Sequence, residues 1–285
     1  MNAQAFQLLN GLTFAALLFL VASGFTLIFG LMRIVNLAHG ALYLIGGYVA
    51  LLAVQKSGSF VAALLTAAIA LAIAGFLVDA LLLGFVKGHE LRQVLLTLGV
   101  ALAIDDLALV TWGGDTFTVP VPQWLQGPLQ IGSFFYPRYR LFVLGVGVLV
   151  FIALWLLLNR TRLGALIRAG VDDAEMVEAM GVDIKRVFVG TFMIGCALAG
   201  IGGALGGAFL SLYPTADAEI LVFSLAVVII GGRGSLVGAA VGSLFVALLA
   251  NFGQVWFPEL AYFVIFGPMA LLLAFRPLGL FGRAT

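Results

Sequence analysis

The sequence predicts an all-α polytopic membrane protein with about eight or nine transmembrane helices, some of them broken or re-entrant. Of its 285 residues, 63% are hydrophobic and 9% are charged, whereas an ordinary soluble domain carries about 25% charged residues. A soluble monomer of this size could not keep such a surface in water. Because a spanning helix needs about 20 apolar residues, nearly the whole chain is membrane-embedded, and we expect a single transmembrane domain over residues 1–285.

Nine apolar runs are long enough to cross, or nearly cross, a bilayer. No Lys or Arg precedes Arg33, so the chain lacks the basic start of a cleaved signal peptide, and we expect the first run to be a retained span. The runs lie at residues 10–31, 40–54, 61–86, 93–112, 140–158, 187–212, 219–231, 236–252 and 260–276.

Two of these runs, 40–54 and 219–231, are shorter than a straight crossing requires. Each adjoins a polar, glycine-containing break: residues 32–40 (MRIVNLAHG) precede the first run, and residues 231–235 (GGRGS) follow the second. Broken helices are tolerated at membrane depth only where protein or water satisfies the freed backbone groups. We therefore predict broken or re-entrant helices at these two places.

The basic residues predict the orientation of the chain, because cytoplasmic loops hold the excess of Lys and Arg. If residues 160–186 are cytoplasmic, only Lys56, Arg138 and Arg140 of the fourteen basic residues lie outside. Nine crossings then place the N-terminus outside and the C-terminus inside. The inside set is Arg33, Lys87, Arg92, Arg160, Arg162, Arg168, Lys185, Arg186, Arg233, Arg276 and Arg283.

The loop over residues 160–186 holds ten of the 27 charged residues. Asp172 is placed to cap a helix over about 173–180, with Glu175 reaching back as in a capping box. Gly181 is placed to end that helix in the left-handed conformation. The loop is therefore expected to contain a short, rigid, water-facing helix.

Two interpretations of this short helix are open from the residues alone. It is a solvated connector on the bilayer surface, or it docks into a cytoplasmic partner and transmits movement into the spans it joins. Met176 and Met180 lie four residues apart on one helical face, and methionine is a flexible side chain suited to a groove in another protein.

Three segments carry a resemblance to a known family. Residues 162–207, the Asn36–Gly40 segment NLAHG and the GGRGS segment at 231–235 resemble the permease subunits of branched-chain amino acid ABC transporters, closest to the shorter, LivH-like kind. The likeness runs over nearly the whole chain. It implies an ABC importer permease fold in a bacterial inner (plasma) membrane, with residues 160–186 as the cytoplasmic coupling loop that sits in a cleft of the ATPase. The coupling residues would be Asp172, Glu175, Met176, Glu178, Ala179, Met180 and Gly181.

The resemblance also implies partners and a cargo. The partners are a second homologous permease, two cytoplasmic ATPase subunits and a periplasmic substrate-binding protein, with the lipid bilayer around them. The cargo is a small polar or amphipathic solute, a branched-chain or other amino acid. No stretch fits G-x-x-x-x-G-K-[ST], so ATP and Mg²⁺ belong to the partner ATPases, and we expect the chain to be no enzyme and to bind no cofactor.

Other partner classes are disfavoured by composition. A net charge of +1 argues against nucleic acid, which requires a concentrated basic surface. Cys196 is the only cysteine, so we expect neither a disulfide framework nor a metal site.

Polar residues among the spans are candidates for a translocation path, since they usually face a cavity or a partner. Asn36 and His39, three residues apart on one helical face, either line a path or hydrogen-bond the broken backbone. Asp105 and its neighbour Asp106 lie inside an apolar run, and Asp79 is a similar lone carboxylate. We take Asn36, His39 and Asp105 as path candidates.

Small residues recur every four positions within the run at 187–212: Gly195, Ala199, Gly203 and Gly207. Such a stripe allows another helix to approach closely. We expect it to be a packing surface, with a sliding surface for alternating access as the alternative.

Two other function classes remain open from the sequence. Intramembrane carboxylates can couple transport to cations, so the chain could be a secondary transporter or channel that uses Asp79, Asp105 and Asp106. It could also be a structural or assembly subunit without a transport path of its own.

Overall fold

The computed structural model describes residues 3–32, 35–86, 89–132, 134–276 and 279–282. Its helices are α1 Ala3–Met32, α2 His39–Ser57, α3 Phe60–Leu81, α4 Glu90–Trp112, α5 Arg138–Arg160, α6 Arg162–Asp172, α7 Ala174–Ala179, α8 Ile184–Phe209, α9 Ala216–Gly231, α10 Leu236–Trp256 and α11 Ala261–Phe275. Short 3-10 helices lie at Leu83–Val86, Gln123–Leu125 and Pro258–Leu260. Strands β1 Pro128–Ile131 and β2 Phe134–Pro137 pair as an antiparallel hairpin.

The all-α prediction is confirmed, because each of the nine predicted apolar runs coincides with one α-helix. Six helices, namely α1, α3, α4, α5, α8 and α10, are long and apolar enough to cross a membrane. The helices α2, α9 and α11 are shorter or more polar. The number of crossings, eight or nine, remains a prediction.

Helix α1 lies at the centre of the bundle. It contacts α5, α8, α9 and α10, and Leu17, Leu18 and Leu20 are fully buried. Its sequence is apolar on every side, which is typical of a helix with no face in contact with water. Helices α5, α8, α9 and α10 therefore pack around α1.

Helix α8 is the second central helix, and its glycines bring neighbouring backbones into contact. A Cβ atom on Gly195 would lie 2.8 Å from the carbonyl oxygen of Gly24 in α1, and one on Gly46 in α2 would lie 2.6 Å from the Cα of Gly200. A Cβ atom on Gly203 would collide with the carbonyl oxygen of Tyr43 in α2. This geometry favours the packing interpretation of the small-residue stripe.

The other two members of the stripe are also enclosed. Ala199 is fully buried beside Ile28 and Leu71. Gly207 faces Val119 and Leu212, outside the helices. The four residues thus contact α1, α2, α3 and the segment after α4, which makes α8 the common neighbour of these elements.

Helices α3, α4 and α5 surround this core and bury only one face each. Their outer faces expose large apolar side chains, including Ile69 in α3, Leu102 in α4 and Leu149 in α5. Exposed leucine and isoleucine at this density are typical of lipid-facing helices.

The two ends of the bundle are distinct. At the hairpin end, Phe117 and Leu212 exchange backbone hydrogen bonds of 2.8 and 2.7 Å, and Tyr136 shares a 3.0 Å hydrogen bond with Thr13 near the start of α1. The loop end carries α6 and α7 together with the α9–α10 turn, where the Phe281 amide donates to the Gly231 carbonyl.

The described basic residues divide between these ends as the orientation argument expects. Helix directions place Lys56, Arg138 and Arg140 at the hairpin end and eight others at the loop end. Arg33, Lys87 and Arg283, which the argument also placed inside, lie outside the described residues.

The close contact at Gly203 predicts a stability difference. We expect Gly203→Ala to lower the free energy of unfolding by about 1–3 kcal/mol, the usual cost of overpacking, because the new methyl group meets backbone rather than a movable side chain. Thermal unfolding of the purified chain in detergent, followed by circular dichroism, measures this change.

The matched control is Gly145→Ala in α5, where a Cβ atom meets nothing within 4 Å. Alanine is favoured over glycine inside a helix by about 0.5–1 kcal/mol, so no loss of stability is expected. Equal unfolding temperatures for the two variants would contradict the packing role of Gly203.

Candidate functional site

The charged loop folds as two helices rather than one. Helix α6 begins after Thr161, whose hydroxyl accepts a hydrogen bond from the Gly164 amide at 3.1 Å, and buries Gly164, Ile167 and Gly170. Sequence reasoning missed this helix. The signal that could have found it is the Thr161 cap followed by a buried position every third residue.

The prediction that Asp172 caps the second helix is wrong. Asp172 is the last residue of α6, and the cap of α7 is Asp173, whose carboxylate accepts a hydrogen bond from the Met176 amide at 2.9 Å. Glu175 is then one position too early for a capping box. The physical reason is that α6 runs on through Asp172, so the first extended residue able to cap is Asp173. The predicted left-handed Gly181 is confirmed, with φ at +84°.

One side of α7 is anchored to the bundle. Val177 is 6% exposed and belongs to a cluster with Leu158 of α5, Ile167 of α6 and Ile184 of α8. Leu236 at the start of α10 belongs to the same cluster. Helix α7 therefore packs directly against α6 and α8, and through this cluster it is connected to α5 and α10.

The other side of α7 is open. Met176 and Met180 are 60% and 75% exposed, which is unusual for large apolar side chains on a water-facing helix. We call residues 174–181 the α7 knob. The structure places all seven predicted coupling residues on or beside this knob, and all of them are exposed: Asp172, Glu175, Met176, Glu178, Ala179, Met180 and Gly181.

Asn36 and His39 lie at the break between α1 and α2, and both are buried. The Asn36 side-chain oxygen accepts a hydrogen bond from the Ala38 amide at 3.1 Å, and His39 Nε2 donates to the Val21 carbonyl of α1 at 2.9 Å. These bonds favour the interpretation that the pair holds the broken backbone. Asn36 Nδ2 and His39 Nδ1 have no hydrogen-bond partner among the described residues.

Thr97 of α4 also holds this break, and sequence reasoning did not single it out. Its hydroxyl accepts a hydrogen bond from the Leu37 amide at 3.2 Å and donates to the Val94 carbonyl at 3.0 Å. Thr97 is fully buried. A single threonine in an apolar run carries no local signal for such a role, because the contact is sixty residues away in sequence.

The three carboxylates of the cation-coupling alternative do not form one site. Asp79 is buried within one turn of the loop end of α3, near Cys196. Asp105 lies fifteen residues beyond the loop-end start of α4, about 22 Å along the helix, and its carboxyl group interacts with that of Asp217 in α9. Asp106 points away from this pair and is exposed.

A comparison with protein families decides the class of the chain. The family model described as "Branched-chain amino acid transport system / permease component" matches residues 7–273. The chain belongs to this family. It is therefore a permease component, and its long apolar helices identify it as a multi-pass protein of the inner membrane.

Two curated branched-chain amino acid permeases match this permease over almost their entire length. The high-affinity branched-chain amino acid permease protein BraD of Pseudomonas aeruginosa is 30% identical, with 97% of this chain and 95% of the relative covered. LivH of Escherichia coli K12 is 28% identical over the same shares. The fructose import permease protein FrcC of Rhizobium meliloti is 35% identical, but over 42% of this chain and 37% of its own. No solved structure matches this permease.

The Thr97 contact predicts a local change in backbone protection. Thr97→Val keeps the side-chain shape but leaves the Leu37 amide without its acceptor, which costs about 1–3 kcal/mol. We expect amide exchange over residues 35–41 of the permease to become roughly tenfold faster, since about 1.4 kcal/mol corresponds to a factor of ten. Hydrogen–deuterium exchange by mass spectrometry measures it.

Thr97→Ser is the matched control, because it retains the hydroxyl. We expect its exchange over residues 35–41 to stay near the parent rate. Equal acceleration in both variants would show that packing of the threonine methyl group, and not the hydrogen bond, protects the break.

Proposed function

We propose that this permease is the transmembrane subunit of an ATP-driven ABC importer and translocates a branched-chain or other amino acid delivered by a periplasmic binding protein. The relatives that match over the full chain are named for high-affinity branched-chain amino acid transport. The fructose permease matches over less than half of this chain. An amino acid is therefore a better-supported cargo than a sugar.

The proposed assembly contains a second homologous permease and two cytoplasmic ATPase subunits. ATP and Mg²⁺ bind to the ATPase subunits, and this chain binds no cofactor. The support is the absence of a phosphate-binding G-x-x-x-x-G-K-[ST] motif from the sequence, which leaves ATP hydrolysis to partner chains. The loop end, with most of the described basic residues, is the cytoplasmic side in this proposal.

The α7 knob is the single observation that carries the proposal. It presents Met176 and Met180 to solvent on a capped helix, while Val177 fixes the opposite side against α5, α6 and α8. A groove in the ATPase would cover the two methionines. Movement of that groove would then shift α8, which contacts the knob, and α5, which packs against α6 in the same apolar cluster.

The candidate path residues fall into two groups. Asn36 and His39 sit where α1 and α2 meet at the break, so a change in this break would expose them to the cargo. Asp105 is half-buried beside Asp217 and is the candidate nearer the hairpin end. We propose that all three lie along the route. The separation between Asp79 and Asp105 disfavours the cation-coupled alternative.

Substitution of the knob tests the coupling proposal. Met176→Asp and Met180→Asp place a carboxylate where an apolar groove would close, and an unpaired charge in such a groove is costly. We expect retention of the ATPase subunits by the purified permease, and ATP-driven uptake in proteoliposomes, to fall roughly tenfold or more, which corresponds to at least about 1.4 kcal/mol.

The control for this test is Leu129→Asp, which introduces the same charge at a 41% exposed apolar residue of the hairpin. It lies at the opposite end of the permease, so ATPase retention should match that of the parent. If both knob variants retain the ATPase subunits and support full uptake, the coupling proposal fails. Uptake that needs no ATP and collapses with the proton gradient would support the cation-coupled alternative instead.

A further inference from the structure

An acidic side chain faces outward from the second half of an apolar helix. Asp106 of α4 is exposed, and it lies six residues before the helix ends at Trp112, about 9 Å along the axis. Helix α4 has 23 residues, about 34 Å, against a hydrocarbon core of about 30 Å. A centred α4 therefore places the Asp106 carboxylate roughly 7 Å inside the hydrocarbon.

No other outer face of the bundle resembles this one. Among the described residues of the nine apolar helices, Asp105 is the only other acidic or basic side chain that lies more than one turn from a helix end, and it is half-buried. The outward positions of α3 and α5 are apolar instead, as at Ile69 and Leu149. Charged side chains inside membranes face protein or water, so the exposure of Asp106 singles out the outer face of α4.

The neighbours of Asp106 form a stripe suited to a second helix. Leu95, Gly99 and Leu102 share its side of α4 at helical spacing, and Leu95 and Leu102 are 57% and 58% exposed. A Cβ atom on Gly99 would meet nothing within 4 Å, so the stripe has a shallow notch at its centre. On the opposite side of α4, Ala101 packs against Ala41 of α2, and Thr97 contacts Leu37 in the break before α2.

We infer that this stripe of Leu95, Gly99, Leu102 and Asp106 is covered by the second permease of the assembled importer rather than by lipid. The inference rests on the proposed function, which supplies that second chain. Acyl chains offer no hydrogen-bond donor to a carboxylate, whereas a polytopic partner can bring a polar side chain or water to this depth. The notch at Gly99 allows a helix of the partner to approach closely.

The charge also indicates which kind of permease covers the stripe. In a two-fold symmetric dimer of identical chains, the same patch meets itself. A contact centred on this stripe would then set Asp106 against Asp106, and like charges at close range repel. A homologous but non-identical permease can present a donor at that point, so we take it as the partner.

Site-specific photo-crosslinking in membranes that hold the whole importer tests the inference. A benzophenone side chain at Leu102 reacts with whatever covers the stripe, and mass spectrometry identifies the adduct. We expect an adduct with a non-identical permease of the family. The same probe at Leu149 of α5 or Ile69 of α3, exposed to similar extents, should give lipid adducts.

The crosslinking outcomes distinguish failure of the surface assignment from failure of the proposed function. Lipid adducts alone at Leu102, or adducts with a second copy of this chain or with any other protein, would overturn the assignment. Retention of the ATPase subunits by the same membranes is measured in parallel. If the ATPase subunits are retained while Leu102 reacts only with lipid, the surface assignment fails and the proposed function stands. If the unmodified permease retains no ATPase, the proposed function fails and the inference fails with it.

Substitution of the carboxylate provides a second measurement. Asp106→Leu should reduce the amount of second permease that co-purifies by roughly tenfold, whereas Asp106→Asn, which keeps hydrogen-bonding capacity, should retain most of it. A lipid-facing carboxylate predicts the reverse, because its replacement by leucine would leave assembly intact and raise stability.

Discussion

The close approach of α8 to α1 and α2 is the contact on which the rest of the permease depends. Lipid tails are as apolar as the helix surfaces, so the hydrophobic effect does not bring helices together inside a membrane. Helix association there relies on van der Waals packing at close range. The backbones approach this closely at two glycine pairs, Gly195 with Gly24 and Gly200 with Gly46, because neither member of a pair carries a Cβ atom. With this core fixed, α3, α4 and α5 need only one packed face each.

The same core connects the two ends of the permease mechanically. Helix α8 has 26 residues, about 39 Å. Its loop end contacts the α7 knob through Ile184, and its hairpin end leads to Leu212, which pairs with Phe117. A displacement applied at the knob would reach the hairpin end through one rigid element. In our proposal, this is how ATPase closure alters access to the cargo.

Much of the fold could be predicted from the sequence because lipid makes hydropathy decisive. All nine apolar runs contain helices, and the scarcity of charge elsewhere located the loop at residues 160–186. Local detail was less predictable. Asp172 and Asp173 are equally able to cap a helix, and the choice depends on how far α6 extends. Thr97 and Asp217 owe their contacts to distant segments, so no local pattern distinguishes them.

The central claim is that the α7 knob lies in the cytoplasm and is covered by the ATPase. Labelling of Met180→Cys with a membrane-impermeant maleimide tests it most directly, since the native Cys196 is fully buried. We predict labelling from the cytoplasmic side of inverted vesicles stripped of ATPase, and protection when the ATPase subunits are restored. Labelling from the periplasmic side, or equal labelling with and without the ATPase, would contradict it.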